Sequence, residues 1–250
     1  MAISVLDLFK IGVGPSSSHT VGPMRAAFDF AQTLASRRQL AAVQRIEVRL
    51  YGSLSATGIG HGTDRAVLVG LMGERPDRVD PDRIGPAVDV VRSSGRLRLA
   101  GQVSVPFDGA RDLRLLPLTL PYHPNAMALA AHGNEGVLFE NTYYSVGGGF
   151  VVDEAQARAG RTGAAEVALP HDFDSAAALL AICRRHGLRI SQVMLANERA
   201  WRSEDETRAA LHGIWGAMRG CVTRGLAQEG LLPGGLHVRR RAAALHRALH

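Results

Sequence analysis

The spacing of apolar residues changes along this chain, and that change constrains the fold more than any other feature. Up to about residue 155, apolar and polar residues alternate in short segments bounded by Gly or Pro, which is typical of strands. From residue 172 onward, apolar residues recur at helical spacing. We therefore predict an α+β domain with a mixed, mostly antiparallel sheet over residues 1–158, a linker over 159–171, and the beginning of an all-helical domain over 172–250.

The first part contains six strand candidates and two clear helix starts. Helices are predicted to begin after His19 and near Thr63. The strand candidates are Arg45–Tyr51, Gln102–Phe107, Arg114–Leu120, Ala126–His132, Gly136–Tyr143 and Phe150–Val152. Their order in the sheet is left open, because alternation alone does not specify pairing.

The helical part carries clearer boundary signals. Asp174 or Ser175 is placed to cap a helix that Gly187 ends. Ser203 opens a capping box, and Gly230 is predicted to end the long helix that follows it. A last segment rich in Ala and Arg has no end signal, so we expect the chain to end inside a domain.

Composition excludes several classes of protein. Apolar residues make up 46% of the chain, enough for a folded core, yet no apolar run reaches the roughly 18 residues that cross a membrane. The N-terminus lacks the build of a signal peptide, so we expect a cytoplasmic protein without a membrane partner. The net charge of +6 comes from dispersed arginines with only 5% aromatic residues, so we expect no nucleic-acid partner.

The lysine and cysteine contents bear on cofactors. Lys10 is the single lysine and its surroundings show no sign of a catalytic site, so we predict no pyridoxal phosphate, which needs a lysine amine. Cys183 and Cys221 cannot by themselves form a disulfide framework or a four-ligand metal centre. Both lie on apolar faces of predicted helices, and we expect both to be free and buried.

Hydroxyl side chains crowd the entrance to the first helix. Ser16, Ser17, Ser18, His19 and Thr20, here called the hydroxyl tract, immediately precede a helical pattern. Free backbone N–H groups and the helix dipole favour an anion at such a place, and a carboxylate would fit. A helix cap needs only one of these residues, so we favour an anion-binding site over a serine-rich turn.

Glycine on both sides leaves the imidazole of His61 uncrowded. A buried structural role does not explain a histidine in this setting, so we predict a catalytic or ligand-binding role rather than that of a turn histidine. Asp64 follows three residues later and can either orient the imidazole or cap the next helix.

Two further polar segments are equally compatible with function and with ordinary turns. His123 and Asn125 flank a proline that fixes the local backbone and presents both side chains rigidly. Glu140, Asn141 and Ser145 precede three glycines that allow close approach of a ligand to the backbone. Turns at strand ends use the same residue types.

Taken in order, these segments resemble the iron–sulfur L-serine dehydratases (L-serine ammonia-lyases) of the bacterial single-chain type. The matching motifs are GPSSSHTVGPM at 14–24, GSLSATGIGHGTD at 52–64, HPN at 123–125 and ENTYYSVGGGF at 140–150. The resemblance covers essentially the whole chain. It implies a first domain similar to the allosteric substrate-binding domain of some phosphoglycerate dehydrogenases, then a helical catalytic domain, in a homodimer.

The resemblance also implies a chemistry. L-serine would undergo β-elimination to pyruvate and ammonia, with a [4Fe–4S] cluster as Lewis acid at the hydroxyl. The cysteine ligands of the cluster are expected beyond residue 250, with no metal ligand in this chain.

Within that chemistry each candidate residue receives a role. His61 is expected to be the catalytic base with Asp64 orienting it, while Ser16, Ser17, Ser18, His19 and Thr20 hold the substrate carboxylate. His123 and Asn125 are expected to orient the substrate. The alternative is a serine-binding or regulatory module, or an inactive fragment, that lacks the cluster ligands.

Overall fold

In a computed structural model that describes residues 4–159, 167–232 and 237–249, the chain forms two compact units. The sheet unit contains residues 11–159, 230–232 and 237–240. The helical unit contains residues 4–10, 167–229 and 241–249. Residues 160–166 of the predicted linker lie outside the described residues.

A five-stranded sheet forms the centre of the sheet unit. The strands are β1 Arg45–Tyr51, β2 Arg96–Leu99, β3 Val103–Pro106, β4 Leu113–Leu116, β5 Ala126–Gly133, β6 Gly136–Gly147 and β7 Phe150–Asp153. Their order is β4-β1-β5-β6-β7, and β2 and β3 form a separate hairpin. Only the β1–β4 pair is parallel in the described sheet, so the prediction of a mixed, mostly antiparallel sheet is confirmed.

Six α-helices belong to the sheet unit and five to the helical unit, within the described ranges. The sheet unit has α2 Gly22–Ser36, α3 Gly52–Thr57, α4 Thr63–Leu71, α5 Pro81–Ser94, α6 Gly109–Asp112 and α7 Glu154–Arg158. The helical unit has α1 Val5–Leu8, α8 Ala176–His186, α9 Ile190–Glu198, α10 Glu204–Ala227 and α11 Ala242–Leu249. No helix of the described segments is long and apolar enough to cross a membrane.

The core of the sheet unit lies between the sheet and its helices. Alternation in β1 buries Ile46, Val48 and Leu50, as expected for a strand with one face on the core. Phe30 and Leu34 of α2 are fully buried in the same cluster. This packing fixes the start of α2, and with it the hydroxyl tract, relative to the sheet.

Strand β2 and helix α5 are among the elements that the sequence analysis did not predict. Strand β2 has only four residues, with Arg at two of them, too short for a clear period of two. Helix α5 contains Gly85 and Pro86, which interrupt the helical pattern, although Asp80 caps its start. Burial of Val88 and Val91 against the core holds it in helical form.

Most of the helix boundaries predicted for the helical unit are confirmed. Ser175 caps α8 and Gly187 ends it in the left-handed conformation, and Ser203 forms the capping box of α10. Helix α10 ends at Ala227 rather than at Gly230, which belongs to the sheet unit.

The expectation of two buried cysteines was wrong, since Cys221 is exposed on α10 and Cys183 is only half-buried.

Residues 4–10 join the helical unit because a buried carboxylate binds them. Glu198, 2% exposed, accepts hydrogen bonds from the Ser4 hydroxyl (2.8 Å) and the Val5 backbone N–H (2.7 Å). Arg202 pairs with the same carboxylate. The charge of Glu198 is thereby compensated, which a buried carboxylate requires.

Candidate active site

The hydroxyl tract forms a wide helical turn that leads directly into α2. This turn covers Ser17–Val21, and Ser16 caps it by accepting a hydrogen bond from the His19 backbone N–H at 3.2 Å. The sequence prediction of a polar helix entrance therefore agrees with the structure. The N–H groups of His19, Thr20, Val21 and Gly22 are bonded within the turn. Among the described residues of the entrance, those of Ser17 and Ser18 remain available to an anion.

The tight turn between α3 and α4 presents His61. Gly62, the residue before α4, has a φ of +68°, a conformation that favours glycine. The Nδ1 atom of His61 lies 2.9 Å from the Thr57 carbonyl oxygen, four residues earlier. A carbonyl only accepts, so Nδ1 carries the proton and the neutral ring has its lone pair on Nε2. Nε2 has no hydrogen-bond partner among the described residues and is free to accept a proton.

The hydroxyl tract and the His61 turn meet at their two histidines. The ring centroids of His19 and His61 are 4.8 Å apart, with 37° between the ring planes. Both ring nitrogens of His19 are engaged, Nδ1 with the Ser18 hydroxyl and Nε2 with the Ser53 hydroxyl, each at 2.9 Å. Burial and, second, the neighbouring His61 lower the pKa of His19, while its contact with Ser53 opposes the shift. His19 is thus a fixed, neutral ring beside a histidine that can accept a proton.

The five tract residues differ in what their side chains can offer a ligand. Ser17 is exposed and its hydroxyl has no hydrogen-bond partner within the described part of the chain. Thr20 is 4% exposed and its hydroxyl donates to the His61 carbonyl at 2.9 Å. The hydroxyl predicted at Thr20 for the substrate is therefore used inside the protein, whereas Ser17 and, in part, Ser18 remain available.

Asp64 does not orient His61. Its Oδ2 atom accepts a hydrogen bond from Arg92 of α5 at 2.9 Å, and it makes no hydrogen bond with the imidazole among the described residues. Asp64 lies in the first turn of α4, whose helical path turns its carboxylate toward α5. The Thr57 carbonyl fills the orienting role that the sequence had suggested for Asp64.

The turn containing His123 and Asn125 packs against the start of α3. The Pro124 carbonyl accepts a hydrogen bond from the Ser53 backbone N–H at 3.0 Å. His123 Nδ1 accepts from the Asn125 N–H at 3.0 Å, and burial lowers the pKa of His123. The turn therefore adjoins Ser53, whose hydroxyl contacts His19. His123 Nδ1 and the Asn125 side-chain amide, however, are hydrogen-bonded to other protein groups.

Asn125 also links this turn to the segment before the three glycines. Its amide donates to the Ser145 carbonyl at 3.2 Å, and the Ser145 N–H donates back to its carbonyl at 2.9 Å. A Cβ atom placed on Gly22, the first residue of α2, would lie only 2.0 Å from the Ser145 hydroxyl oxygen. All four motifs therefore meet around the beginnings of α2 and α3.

Three residues that matter to this geometry were not predicted from the sequence. Ser53 holds His19, Thr57 sets the tautomer of His61, and Thr63 donates its hydroxyl to the His19 carbonyl. Ser53 and Thr57 precede His61 at intervals of four residues, the spacing of one helical face, and that periodicity was the available signal. The partner of Thr63 lies 44 residues away and leaves no local signal.

The described residues offer no group of three or more His, Cys, Asp or Glu side chains suited to a metal ion. A cavity of about 630 Å³ lies beside the site, and its lining includes Asp64, Arg92, Phe107 and Leu113. His61 and the hydroxyl tract do not line it. The surface around the two histidines is therefore separate from this cavity.

Comparison with known proteins shows the family of the chain. Residues 4–156, more than half of the chain, match the model of the serine dehydratase beta chain, and residues 185–250 match that of the serine dehydratase alpha chain. The chain belongs to the serine dehydratase family. The family match to the beta chain includes all four motifs around the histidine pair.

Several L-serine dehydratases are similar to this chain. The Streptomyces coelicolor protein is 52% identical over 251 residues, which cover 100% of this chain and 55% of that protein. L-serine dehydratase 2 of Escherichia coli is 46% identical over 99% of this chain and 54% of its own length, and the Helicobacter pylori protein is 38% identical over 98% and 53%. The chain therefore spans about half the length of these relatives.

Proposed function

We propose that this chain carries the substrate-binding and proton-accepting part of an L-serine dehydratase, which converts L-serine to pyruvate and ammonia. Membership of the serine dehydratase family supports the substrate and the reaction. The observation that carries the proposal is the free Nε2 atom of His61 beside a helix entrance suited to a carboxylate. A β-elimination needs both features, because the substrate must be held and its α-proton removed.

In the proposed reaction the substrate carboxylate docks at the N–H groups and free hydroxyls of the tract, with Ser17 foremost. Nε2 of His61 removes the α-proton, and the electron pair of that C–H bond forms the Cα–Cβ double bond. The Cβ–O bond breaks and the hydroxyl leaves as hydroxide. The resulting aminoacrylate tautomerises to an imine, which water hydrolyses to pyruvate and ammonia. A base of this kind contributes about 10²–10⁴ in rate.

The Thr57 carbonyl assists His61 in this role. It accepts from Nδ1 before and after proton transfer, so it stabilises the imidazolium that forms and keeps Nε2 directed at the substrate. His19, held by Ser18 and Ser53, keeps its ring in place beside the reacting base. Its lowered pKa keeps it uncharged when His61 takes up the proton, which avoids two adjacent positive rings.

We further propose a [4Fe–4S] cluster as the Lewis acid that weakens the bond to the departing hydroxyl. Cys183 and Cys221, on separate helices, do not fit as its binding site, and the described residues hold no other metal-ligand group. Its ligands would come from residues outside this sequence, so no step here is assigned to the cluster. We also propose a homodimer, which the family resemblance implies, and a cytoplasmic location without nucleic-acid or membrane partners, which the composition favours.

The test combines binding with turnover in the 250-residue chain. Calorimetric titration with L-serine and with D-serine measures recognition, and pyruvate is assayed anaerobically after reconstitution with iron and sulfide. We expect selective binding of L-serine. In any preparation that forms pyruvate, His61→Ala should lower kcat by about 10²-fold or more with little change in binding.

His212→Ala, which removes an exposed histidine of α10, serves as the matched control and should behave as the unaltered protein. Near-full turnover in His61→Ala would exclude His61 as the base. Absence of any L-serine binding would reject the proposed function itself.

A serine-binding module without catalysis is the second candidate. The absence of a metal-ligand group within the described residues favours it for this chain taken alone. Selective L-serine binding with no pyruvate after reconstitution would support the module. Serine-dependent pyruvate formation, together with stoichiometric iron in the 250-residue chain, would reject it.

A further inference from the structure

Two threonines connect the loops of the histidine pair in a crossed pattern. Thr20, next to His19, donates its hydroxyl to the carbonyl of His61 at 2.9 Å. Thr63, two residues after His61, donates its hydroxyl to the carbonyl of His19 at 2.5 Å. Each threonine thus binds the backbone of the histidine on the opposite loop.

Both hydroxyls are shielded from water, which strengthens this connection. Thr63 is 0% exposed and Thr20 is 4% exposed. A buried hydroxyl without a partner is costly, so each bond strongly favours the arrangement in which the two loops stay together. Gly58 makes room for Thr63, because a Cβ atom there would lie 3.0 Å from the Thr63 hydroxyl oxygen.

An ordinary helix cap does not explain Thr63. A threonine at a helix start usually accepts a hydrogen bond from its own helix through its hydroxyl. Here Gly62 occupies the cap position of α4 with no side-chain bond, and Thr63 directs its hydroxyl outward to the tract. Its bond therefore serves the junction of the two loops.

We propose that Thr63 is a positioning residue that sets the separation and orientation of the His19 and His61 rings through its bond to the His19 carbonyl. Its consequence for catalysis rests on the proposed function, but its effect on the two rings does not. Without the Thr63 hydroxyl, the backbone of His19 is freed from α4, and the rings move apart and gain access to water.

Imidazole titration measured by NMR on the full 250-residue chain tests the proposal directly. Burial and the neighbouring His61 lower the pKa of His19, so a variant that loosens the pair should move that pKa up toward its ordinary value of 6.5. We expect this rise in Thr63→Val, by at least about 0.3 pH units. Thr63→Ser keeps the hydroxyl and should titrate as the unaltered protein.

Thr207→Val is the matched control. Thr207 is also 0% exposed and also donates its hydroxyl to a backbone carbonyl, that of Ser203 at 3.0 Å, but within the helical unit. Thr207→Val should lower the stability of the protein by about as much as Thr63→Val does. It should leave the titrations of His19 and His61 unchanged. A general loosening of the fold would instead alter the His19 titration in both variants, and that result would contradict the proposal.

A double-mutant cycle shows whether Thr63 acts through His61. His61→Ala alone removes the neighbouring ring and should raise the pKa of His19. If Thr63 positions that ring, Thr63→Val should raise the pKa of His19 by clearly less in the His61→Ala background than in the otherwise unaltered chain. Fully additive shifts would show that Thr63 acts independently of His61 and would overturn the proposal.

The remaining outcomes are also decisive. A folded Thr63→Val protein with unaltered titration of both histidines would overturn the proposal. If Thr63→Val does not fold, Thr20→Val removes the bond from Thr20 to the His61 carbonyl instead. A folded Thr20→Val protein with unaltered titration of both histidines would then overturn the proposal. In a preparation that forms pyruvate, we expect Thr63→Val to lower kcat about tenfold with KM within twofold. Failure of the proposed function would abolish that assay but leave the titration readable.

Discussion

Neighbouring residues of the same chemical type have different roles in this site. Ser17 and Thr20 both carry hydroxyls in the tract, yet Ser17 is exposed and unengaged by the described residues, while Thr20 is buried and bound to the His61 carbonyl. The turn of the helix directs one residue outward and the other inward. Residue type indicated a polar site, and the direction of each side chain decided which hydroxyl a ligand can reach.

At this scale we predict that Ser17→Ala weakens L-serine binding about fivefold to tenfold, the cost of one lost hydrogen bond to a carboxylate. Because Ser17 is exposed, the melting temperature should stay within about 1 °C. Calorimetry and thermal unfolding measure the two effects. Ser36→Ala, an exposed hydroxyl at the end of α2, is the control and should change neither. Wild-type affinity in Ser17→Ala would remove this residue from the carboxylate site.

Between elements, the contact of α2 with α4 fixes how the two histidine loops meet. The helices approach closely at Gly70 of α4, where a Cβ atom would lie 2.3 Å from the Met24 carbonyl oxygen and 2.9 Å from the Cβ atom of Ala27. Only glycine fits this distance without displacement of backbone. The α2 end of the hydroxyl tract and the α4 end of the His61 turn are therefore held by packing as well as by hydrogen bonds.

Gly70→Ala is accordingly expected to destabilise the sheet unit by about 1–3 kcal/mol, because the added methyl group overpacks a rigid contact. Urea unfolding followed by circular dichroism measures this cost. Gly216→Ala on α10 is the control, since nothing lies near its Cβ position, and it should stabilise by up to about 1 kcal/mol through helix propensity. Equal effects of the two substitutions would contradict the close helix contact.

Across the sheet unit, a buried carboxylate joins separate parts of the chain. Asp112, 0% exposed, accepts hydrogen bonds from Arg45 of β1 (2.7 Å), from Arg111 (2.9 Å) and from the Asp108 backbone N–H (2.8 Å). Burial by itself would raise its pKa, but these bonds outweigh burial and lower the pKa to about 2. The lowered value means that the ionised form is the one that stabilises the fold.

Stability should therefore depend on pH in a defined window. The contribution of Asp112 is fully present above the ordinary carboxyl pKa of 3.8 and is lost as the pH falls toward about 2. Asp112→Asn should lower the stability at pH 7 by about 1–3 kcal/mol, and its loss of stability between pH 4 and pH 2 should be smaller than that of the unaltered chain. Urea midpoints across this range measure both. If Asp112→Asn lost as much stability between pH 4 and pH 2 as the unaltered chain, Asp112 would be excluded as the source of that loss.

The sequence by itself determined the features that depend on neighbouring residues. Alternation located β1 and five further strands, and capping residues located the starts of α8 and α10. The functional role predicted for the glycine-framed His61 stays a prediction. Strand β2 and helix α5 were missed because a short Arg-containing segment and an internal Gly-Pro pair weaken local periodicity.

Tertiary structure alone decided how those features combine into a site. The bonds that pair the histidines span 41 and 44 residues, and Asp64 turned toward Arg92 although it lies only three residues from His61. Local pattern reflects backbone preferences over a few residues. The choice of hydrogen-bond partner depends instead on which groups burial brings within about 3 Å, and that follows from the packing of the whole unit.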